Sequence, residues 1–252
     1  MKNRPVYIVT GSASGVGAAT ALALAKQGAA VAVNYSKSRK DAERVADDCK
    51  KLGGDAISVK CDVSEDADCR KLAQAALDAW GRIDGLVNNA GTTRFAPMRN
   101  LAALSAADFH LIYGVNVIGA YQMTRACETA LRTAKGSIVI VSSIASTLGL
   151  GSSIAYACSK GALNTLTLCL ARSLGPDVRV NAVLPGFIET RWLKDGLGET
   201  YAQRAADYKA QSALASTLQP EEVADSIVAL LQSPKTTGQL LTVDAGKSVG
   251  SM

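Results

Sequence analysis

The chain of 252 residues has a single histidine, His110, only 5% aromatic residues, and six cysteines with no CxxC spacing among them. One histidine removes His-based dyads and triads and most zinc arrangements, so no metal site is expected. Cys49, Cys61, Cys69, Cys127, Cys158 and Cys169 read as free thiols, because a chain this long with a full core needs no covalent staples. No stretch approaches the ~18 consecutive apolar residues of a membrane span, and Met1–Pro5 lacks the charged start, apolar run and cleavage site of a secretory signal. A cytoplasmic location without membrane contact is expected. There is no Pro/Ser/Gly linker, repeat or low-complexity segment, so residues 1–252 read as one domain.

What is present is a large apolar share, 48%, against 19% charged residues, enough for a sizeable core. The formal net charge of +5 comes from dispersed cations not interleaved with aromatics, which argues against a polynucleotide partner. Only Lys37–Lys40 is locally dense, and phosphate on a small ligand accounts for it more simply.

Short β-branched runs alternate with longer Ala/Leu-rich stretches. Val6–Thr10, Ala30–Tyr35, Ala56–Lys60, Ile83–Val87, Ser137–Val141, Arg179–Val183 and Leu240–Val243 read as strands. Val16–Gln27, Arg39–Leu52, Ala67–Trp80, Ala106–Arg132, Ala155–Leu174 and Glu221–Leu231 read as helices. The alternation predicts an α/β fold: a doubly wound, Rossmann-type parallel sheet of about seven strands with helices on both faces. One long segment, 186–219, departs from the pattern and is expected to form a substrate lid.

The first strand runs into Thr10-Gly11-Ser12-Ala13-Ser14-Gly15-Val16-Gly17 and then a helix. Gly11 allows a tight turn, Gly15 lets backbone approach phosphate, Gly17 permits close packing, and Ser14 and Val16 lie between them at the helix N-terminus. The GxxxGxG spacing is neither GxGxxG nor a P-loop, and a turn without ligand would also fit it. After the second strand come Asn34, Tyr35, Ser36, Lys37, Ser38, Arg39 and Lys40, with no acid until Asp41. Hydroxyls and cations there suit a 2′-phosphate, so NADP(H) is favoured over NAD(H); a solvated charge run is the plainer alternative. Asp62 and Val63 after the third strand stand where adenine would bind, although Asp62 also reads as a cap or turn former. Asn89, Ala90 and Gly91, preceded by Asn88, form a small-residue turn that can pass the adenosine ribose or simply close a loop.

Tyr156 and Lys160 are an i, i+4 pair, with Ser143 thirteen residues before Tyr156. On one helix face the ammonium can favour the ionised phenol, making Tyr156 an acid for carbonyl chemistry, although such spacings also arise on solvated helices. Ser143 could bind the same oxygen or merely cap a turn.

Taken in order, these segments resemble the short-chain dehydrogenase/reductase superfamily over nearly the whole chain. Asn116, Ser143, Tyr156 and Lys160 fall on its catalytic tetrad, and the resemblance implies that Lys160 holds the nicotinamide ribose while Asn116 binds a water in a proton relay. Pro185, Gly186, Ile188 and Thr190 lie in a segment similar to the one that clamps the nicotinamide amide. The pattern is most similar to 3-oxoacyl-acyl-carrier-protein reductases, which implies an NADP(H)-dependent oxidoreductase acting on a small-molecule ketone or secondary alcohol, assembled as a homotetramer or homodimer. An NAD-dependent sugar, polyol or steroid-like alcohol dehydrogenase, and a dinucleotide-binding sensor without chemistry, are the alternatives. Asp244-Ala245-Gly246 departs from the Asp-Gly-Gly of many members.

Overall fold

The computed structural model describes residues 4–250. The reading of Met1–Pro5 as lacking a leader falls partly outside the described residues.

Seven strands form one wholly parallel sheet in the order β3-β2-β1-β4-β5-β6-β7. They are β1 (Val6–Val9), β2 (Ala30–Tyr35), β3 (Asp55–Lys60), β4 (Gly85–Asn88), β5 (Ser137–Val141), β6 (Arg179–Pro185) and β7 (Leu240–Val243). Side chains alternate across the pleat, so neighbouring residues of a strand enter opposite layers. Val9, Val31, Val33, Val87, Val139 and Val183 face one cluster, with α1 (Gly15–Lys26), α2 (Arg39–Lys51) and α10 (Pro220–Gln232) over it. Ile8, Ala32, Leu86, Ile138, Ile140 and Ala182 face the other, beneath α3 (Asp66–Trp80), α5 (Gly119–Ala134) and α7 (Ile154–Leu174). Both faces are dry, which is why the strands are continuous apolar runs. Among the described residues no helix is long and apolar enough to cross a membrane.

One expectation is corrected. The stretch expected as one helix over Ala106–Arg132 is α4 (Ala106–Tyr113), a π turn over Gly114–Ile118, and α5. The π turn inserts an extra residue per turn and buries the polar Asn116 instead of an apolar side chain. Between β5 and α7 lies a short helix, α6 (Ala145–Leu148), and the 186–219 excursion is itself helical, with α8 (Arg191–Leu197) and α9 (Tyr201–Ala210). Its two ends are sewn together by a parallel bridge between Ile188 and Leu218.

At the departure noted near the C-terminus, Ala245 adopts φ +54°, the left-handed region that glycine enters without steric cost. The last loop therefore holds an alanine in a conformation suited to the glycine of the family pattern.

Strand order reverses between β1 and β4, so the loops leaving their C-terminal ends diverge and open a crevice. Leu86, fully buried beside that crevice, measures how firmly the sheet is packed. Leu86→Ala should cost about 2–5 kcal/mol in denaturant titration, and a loss below about 1 kcal/mol would show that the layer collapses around the cavity.

Candidate active site

The crevice is built from backbone tied by three polar side chains. Thr10 Oγ1 accepts the N–H groups of Asn89 and Ala90, both at 2.9 Å, and donates to Val87 O at 3.3 Å. Asn89 returns its amide to the carbonyls of Thr10 (2.9 Å) and Gly11 (3.1 Å). Asn34, buried at the end of β2, accepts the Gly11 N–H at 2.9 Å and donates to Cys61 O at 3.0 Å. The loops after β1, β2, β3 and β4 are thus locked to one another. Sequence reading did not single out Asn34 for this role; its signal was an amide inside an otherwise apolar strand.

The glycine turn has the shape a pyrophosphate needs. Gly11 and Gly15 have φ of +61° and +57°, and a Cβ on Gly17 would sit 2.6 Å from Gly11 O. Ser14 is exposed and makes no cap bond to α1, so the first N–H groups of α1, from Gly15, Val16 and Gly17, lack a side-chain acceptor there. Thr190 lies across the opening, its methyl 3.5 Å from where a Gly15 Cβ would be. Glycines, open N–H groups and a helix N-terminus fit a dinucleotide pyrophosphate.

Tyr35, Ser36, Lys37 and Ser38 follow at the rim, the last three exposed. Ser38 precedes α2 without capping it. Lys37 and Lys40 have no acidic partner among the described residues, whereas Arg39 pairs with Glu43 at 2.7 Å. Asp41, the first acid after β2, is held by Arg44 (3.3 Å) and Arg191 (3.1 Å). That carboxylate is neutralised from two sides.

Asp62 and Val63 reach the same edge but are already engaged. Asp62 accepts from Ser64 N (3.0 Å) and Ser64 Oγ (2.7 Å), the turn-forming role weighed for it. Val63 O accepts from Gln122 at 2.9 Å, and the Val63 side chain packs against Gly119.

Beyond β5 and β6 the four polar residues of the expected tetrad gather. Ser153 caps α7 by accepting the Tyr156 N–H, which sets Tyr156 in the first turn and Lys160 one turn below. Ser143, two residues past β5, donates to Pro185 O at 3.5 Å and accepts from Ala145 N at 3.1 Å, and its hydroxyl lies near enough to Tyr156 to act on the phenol. Lys160 is buried and donates to Val141 O at 2.8 Å. Asn116 is saturated: its carbonyl accepts from Thr92 N (2.8 Å), and its amide donates to Thr92 O (3.1 Å) and Ser159 Oγ (2.9 Å). It fixes the strand of chain leaving Gly91, the backbone-satisfied role its sequence context also allowed.

The electrostatics depart from the sequence reading. Lys160 Nζ lies over the Tyr156 ring, 5.4 Å from its centroid, yet the phenol is not held below its ordinary value. Burial instead pushes the Tyr156 hydroxyl up to about 12, partly opposed by the Ser143 hydrogen bond. Burial likewise pushes Lys160 down to about 8.

Pro185 ends β6 and its carbonyl accepts from Ile144 N at 3.0 Å. Gly186 donates to Val243 O at 2.9 Å and must be glycine, since a Cβ would lie 1.9 Å from the Tyr208 hydroxyl. Ile188 is pinned in the bridge to Leu218, and Thr190 caps α8 by accepting from Leu193 N at 3.3 Å. Pro185 and Thr190 therefore frame the crevice from the side opposite the glycine turn.

This arrangement has relatives of known kind. A family model described as Enoyl-(Acyl carrier protein) reductase matches residues 11–248. The chain is 44% identical over 243 residues to a protein of Streptomyces violaceoruber named as a ketoacyl reductase of the granaticin polyketide synthase, covering 96% of this chain and 95% of that one. It is 35% identical over 246 residues to a 3-oxoacyl-[acyl-carrier-protein] reductase of Synechocystis sp., covering 96% of each. A crystal structure of a short-chain dehydrogenase/reductase from Burkholderia xenovorans superposes with a TM-score of 0.91 at 39% identity, covering 99% of this chain and 100% of that one. The chain belongs to the short-chain dehydrogenase/reductase superfamily. It is accordingly an oxidoreductase of that type, in a family built around a nicotinamide dinucleotide.

The buried lysine gives the stability a definite pH dependence. Below about pH 8 Lys160 is charged in folded and unfolded chains, and the folded state carries the desolvation cost. Between that pH and the ordinary 10.5 the folded state releases its proton first, so stability rises with pH, by up to ~3 kcal/mol over the window. Lys160→Met should lose this rise in denaturant titrations compared at about pH 7 and about pH 9.5. Equal slopes for both proteins would show that Lys160 is solvated in the folded state.

Proposed function

We propose that the chain is an NADP(H)-dependent ketoreductase, interconverting a ketone and a secondary alcohol. The observation that carries this reading is the gathering of the neighbouring hydroxyls of Ser143 and Tyr156 with the buried Lys160, at the open end of the sheet beside the dinucleotide-shaped turn. Two hydroxyls converging on one point suit a single oxygen that gains charge, as a carbonyl oxygen does on reduction.

The bound nicotinamide supplies the hydride, or accepts it in reverse. Tyr156 gives its proton to the forming alkoxide, and Ser143 fixes that oxygen. A phenol pushed up to about 12 is fully protonated at neutral pH, which suits an acid working in the reducing direction. Lys160, near 8, holds an exchangeable proton one helical turn away and would bind the nicotinamide ribose. Asn116 acts by holding the Thr92 backbone and Ser159. Gly11, Ser14, Gly15, Val16 and Gly17 would hold the pyrophosphate, Asp62, Val63, Asn89, Ala90 and Gly91 the adenosine, and Pro185, Gly186, Ile188 and Thr190 the nicotinamide amide. Tyr35, Ser36, Lys37 and Ser38 would take the 2′-phosphate, supported by the unpartnered Lys37 and by an Asp41 already bound to two arginines. The 186–219 excursion serves as the substrate lid of the single domain.

Exposed apolar side chains along one set of helices, Leu111, Ile118, Tyr121 and Leu168, support self-association as a homodimer or homotetramer. Six free thiols suit a reducing, cytoplasmic setting.

Titration of the purified protein with NADPH and NADH, followed by a ketone panel, tests the reading. Tyr156→Phe should lower turnover by ~10²-fold or more while NADPH binding survives; near-normal turnover would remove Tyr156 from the chemistry. Lys37→Ala should weaken NADPH by about 10-fold and leave NADH unchanged, since a charge-assisted contact is at stake; equal losses would put the phosphate contact elsewhere.

A further inference from the structure

The excursion places an unusual amount of aromatic surface at the mouth of the site. Trp192, in the first turn of α8, is 46% exposed, and α8 buries none of its residues. Its ring centroid lies 5.6 Å from Phe95 and 6.3 Å from Tyr156, with interplanar angles of 52° and 42°. One glycine, Gly196, makes room for this row. A Cβ on Gly196 would fall 2.0 Å from Phe95 ring carbons, and one on Gly151 would touch the Tyr156 ring at 3.4 Å. Phe95 can therefore lie flat against α8, and the row continues to the residue that carries the reactive hydroxyl.

Three charged neighbours are turned away from the row, Arg191 pairing with Asp41, Arg94 with Asp108 at 3.5 Å and Lys194 lying over the Tyr201 ring at 5.5 Å, while the Lys160 ammonium lies over the Tyr156 ring at 5.4 Å. What borders the Tyr156 ring at the mouth is thus an aromatic wall of Trp192 and Phe95, with Trp192 half exposed. Aromatic pairs gain affinity beyond the area they bury when their rings meet tilted or offset at about 4.5–7 Å. The Phe95–Trp192–Tyr156 row already has those spacings, and the open part of the indole leaves room for one more ring.

We propose that the substrate is a ketone on a flat aromatic ring system, with Trp192, backed by Phe95, as the residue that selects it. The inference rests on the carbonyl-reduction reading above and names its substrate class. A ring lying on Trp192 sits beside Tyr156, so a carbonyl on that ring or on a fused ring comes within reach of the hydroxyl. A saturated ring of the same outline buries similar area but lacks the tilted-ring attraction.

The test compares a tetralone with the decalone of the same outline, and with cyclohexanone, which is too small to reach from Tyr156 across Trp192, all with the full chain and NADPH. The native protein should prefer the tetralone over the decalone by about 5-fold in kcat/KM, the size of one aromatic contact. Trp192→Leu should abolish that preference through KM with kcat little changed, Trp192→Phe should keep most of it, and cyclohexanone turnover should be the same in all three. A preference that survives Trp192→Leu, or a loss shared equally by cyclohexanone, overturns the assignment.

A binding measurement separates this from the reaction itself. The chain has two tryptophans, and Trp80→Phe leaves Trp192 as the sole emitter. Saturable quenching by the tetralone but not by the decalone is expected. Quenching without turnover of any ketone would uphold the aromatic platform and sink the reductase reading; turnover without quenching would do the reverse.

Discussion

The hydroxyl of Thr10 is the node on which the site depends. One donor and two acceptors exhaust its hydrogen-bonding capacity, and all three partners, Val87, Asn89 and Ala90, belong to β4 and the loop beyond it. The reversal of strand order would otherwise leave two diverging loops with unpaired backbone groups. Asn89 answers from the other side, and Asn34 carries the lock on to the loops after β2 and β3. A crevice shaped mostly by backbone is thus made rigid by three short polar side chains, each buried or half-buried.

A second lock orders the chemistry at the far end. Ser153 starts α7, and the Ser142 hydroxyl donates to Asn164 at 2.7 Å and to Lys160 O at 3.0 Å, fastening α7 to the end of β5. The ammonium of Lys160 is then enclosed with a single backbone carbonyl as its acceptor. Enclosure explains both shifted groups. Removing water disfavours the charged form of each, so the phenol rises to about 12 and the ammonium falls to about 8, crossing from ordinary values of 10.0 and 10.5.

Much of this was legible in the sequence because the signals are short-range. Continuous valine and isoleucine runs such as Ser137–Val141 could only be strands covered on both faces, and the glycines at 11, 15 and 17 could only serve a turn that side chains would block. The misreadings share a different cause, since each depended on where a polar atom found its partner. The stretch 106–132 looked like one helix because a π turn preserves helical composition while changing phase, and only the burial of Asn116 reveals it. The i, i+4 spacing of Tyr156 and Lys160 correctly put them together. It did not reveal that Lys160 would reach Val141 O and lie across the ring rather than beneath the hydroxyl. Asp62 was legible as a turn former, and its Ser64 partner, two residues away, decides what it can still accept.

Gly186 has a consequence for how the excursion moves. The Tyr208 hydroxyl occupies the volume where a side chain at 186 would be and donates to Asp244 O at 2.7 Å, while Ser212 donates to Tyr208 O at 2.6 Å. Thus α9 is plugged in past the end of β6, with Tyr208 buried, whereas α8 has no buried residue and is held by its Thr190 cap, the ring contacts of Trp192 and an exposed ion pair to Asp41. The two helices accordingly differ in local unfolding free energy. Opening at the mouth can be confined to a single short helix, pivoting on an anchored neighbour, without disturbing the sheet.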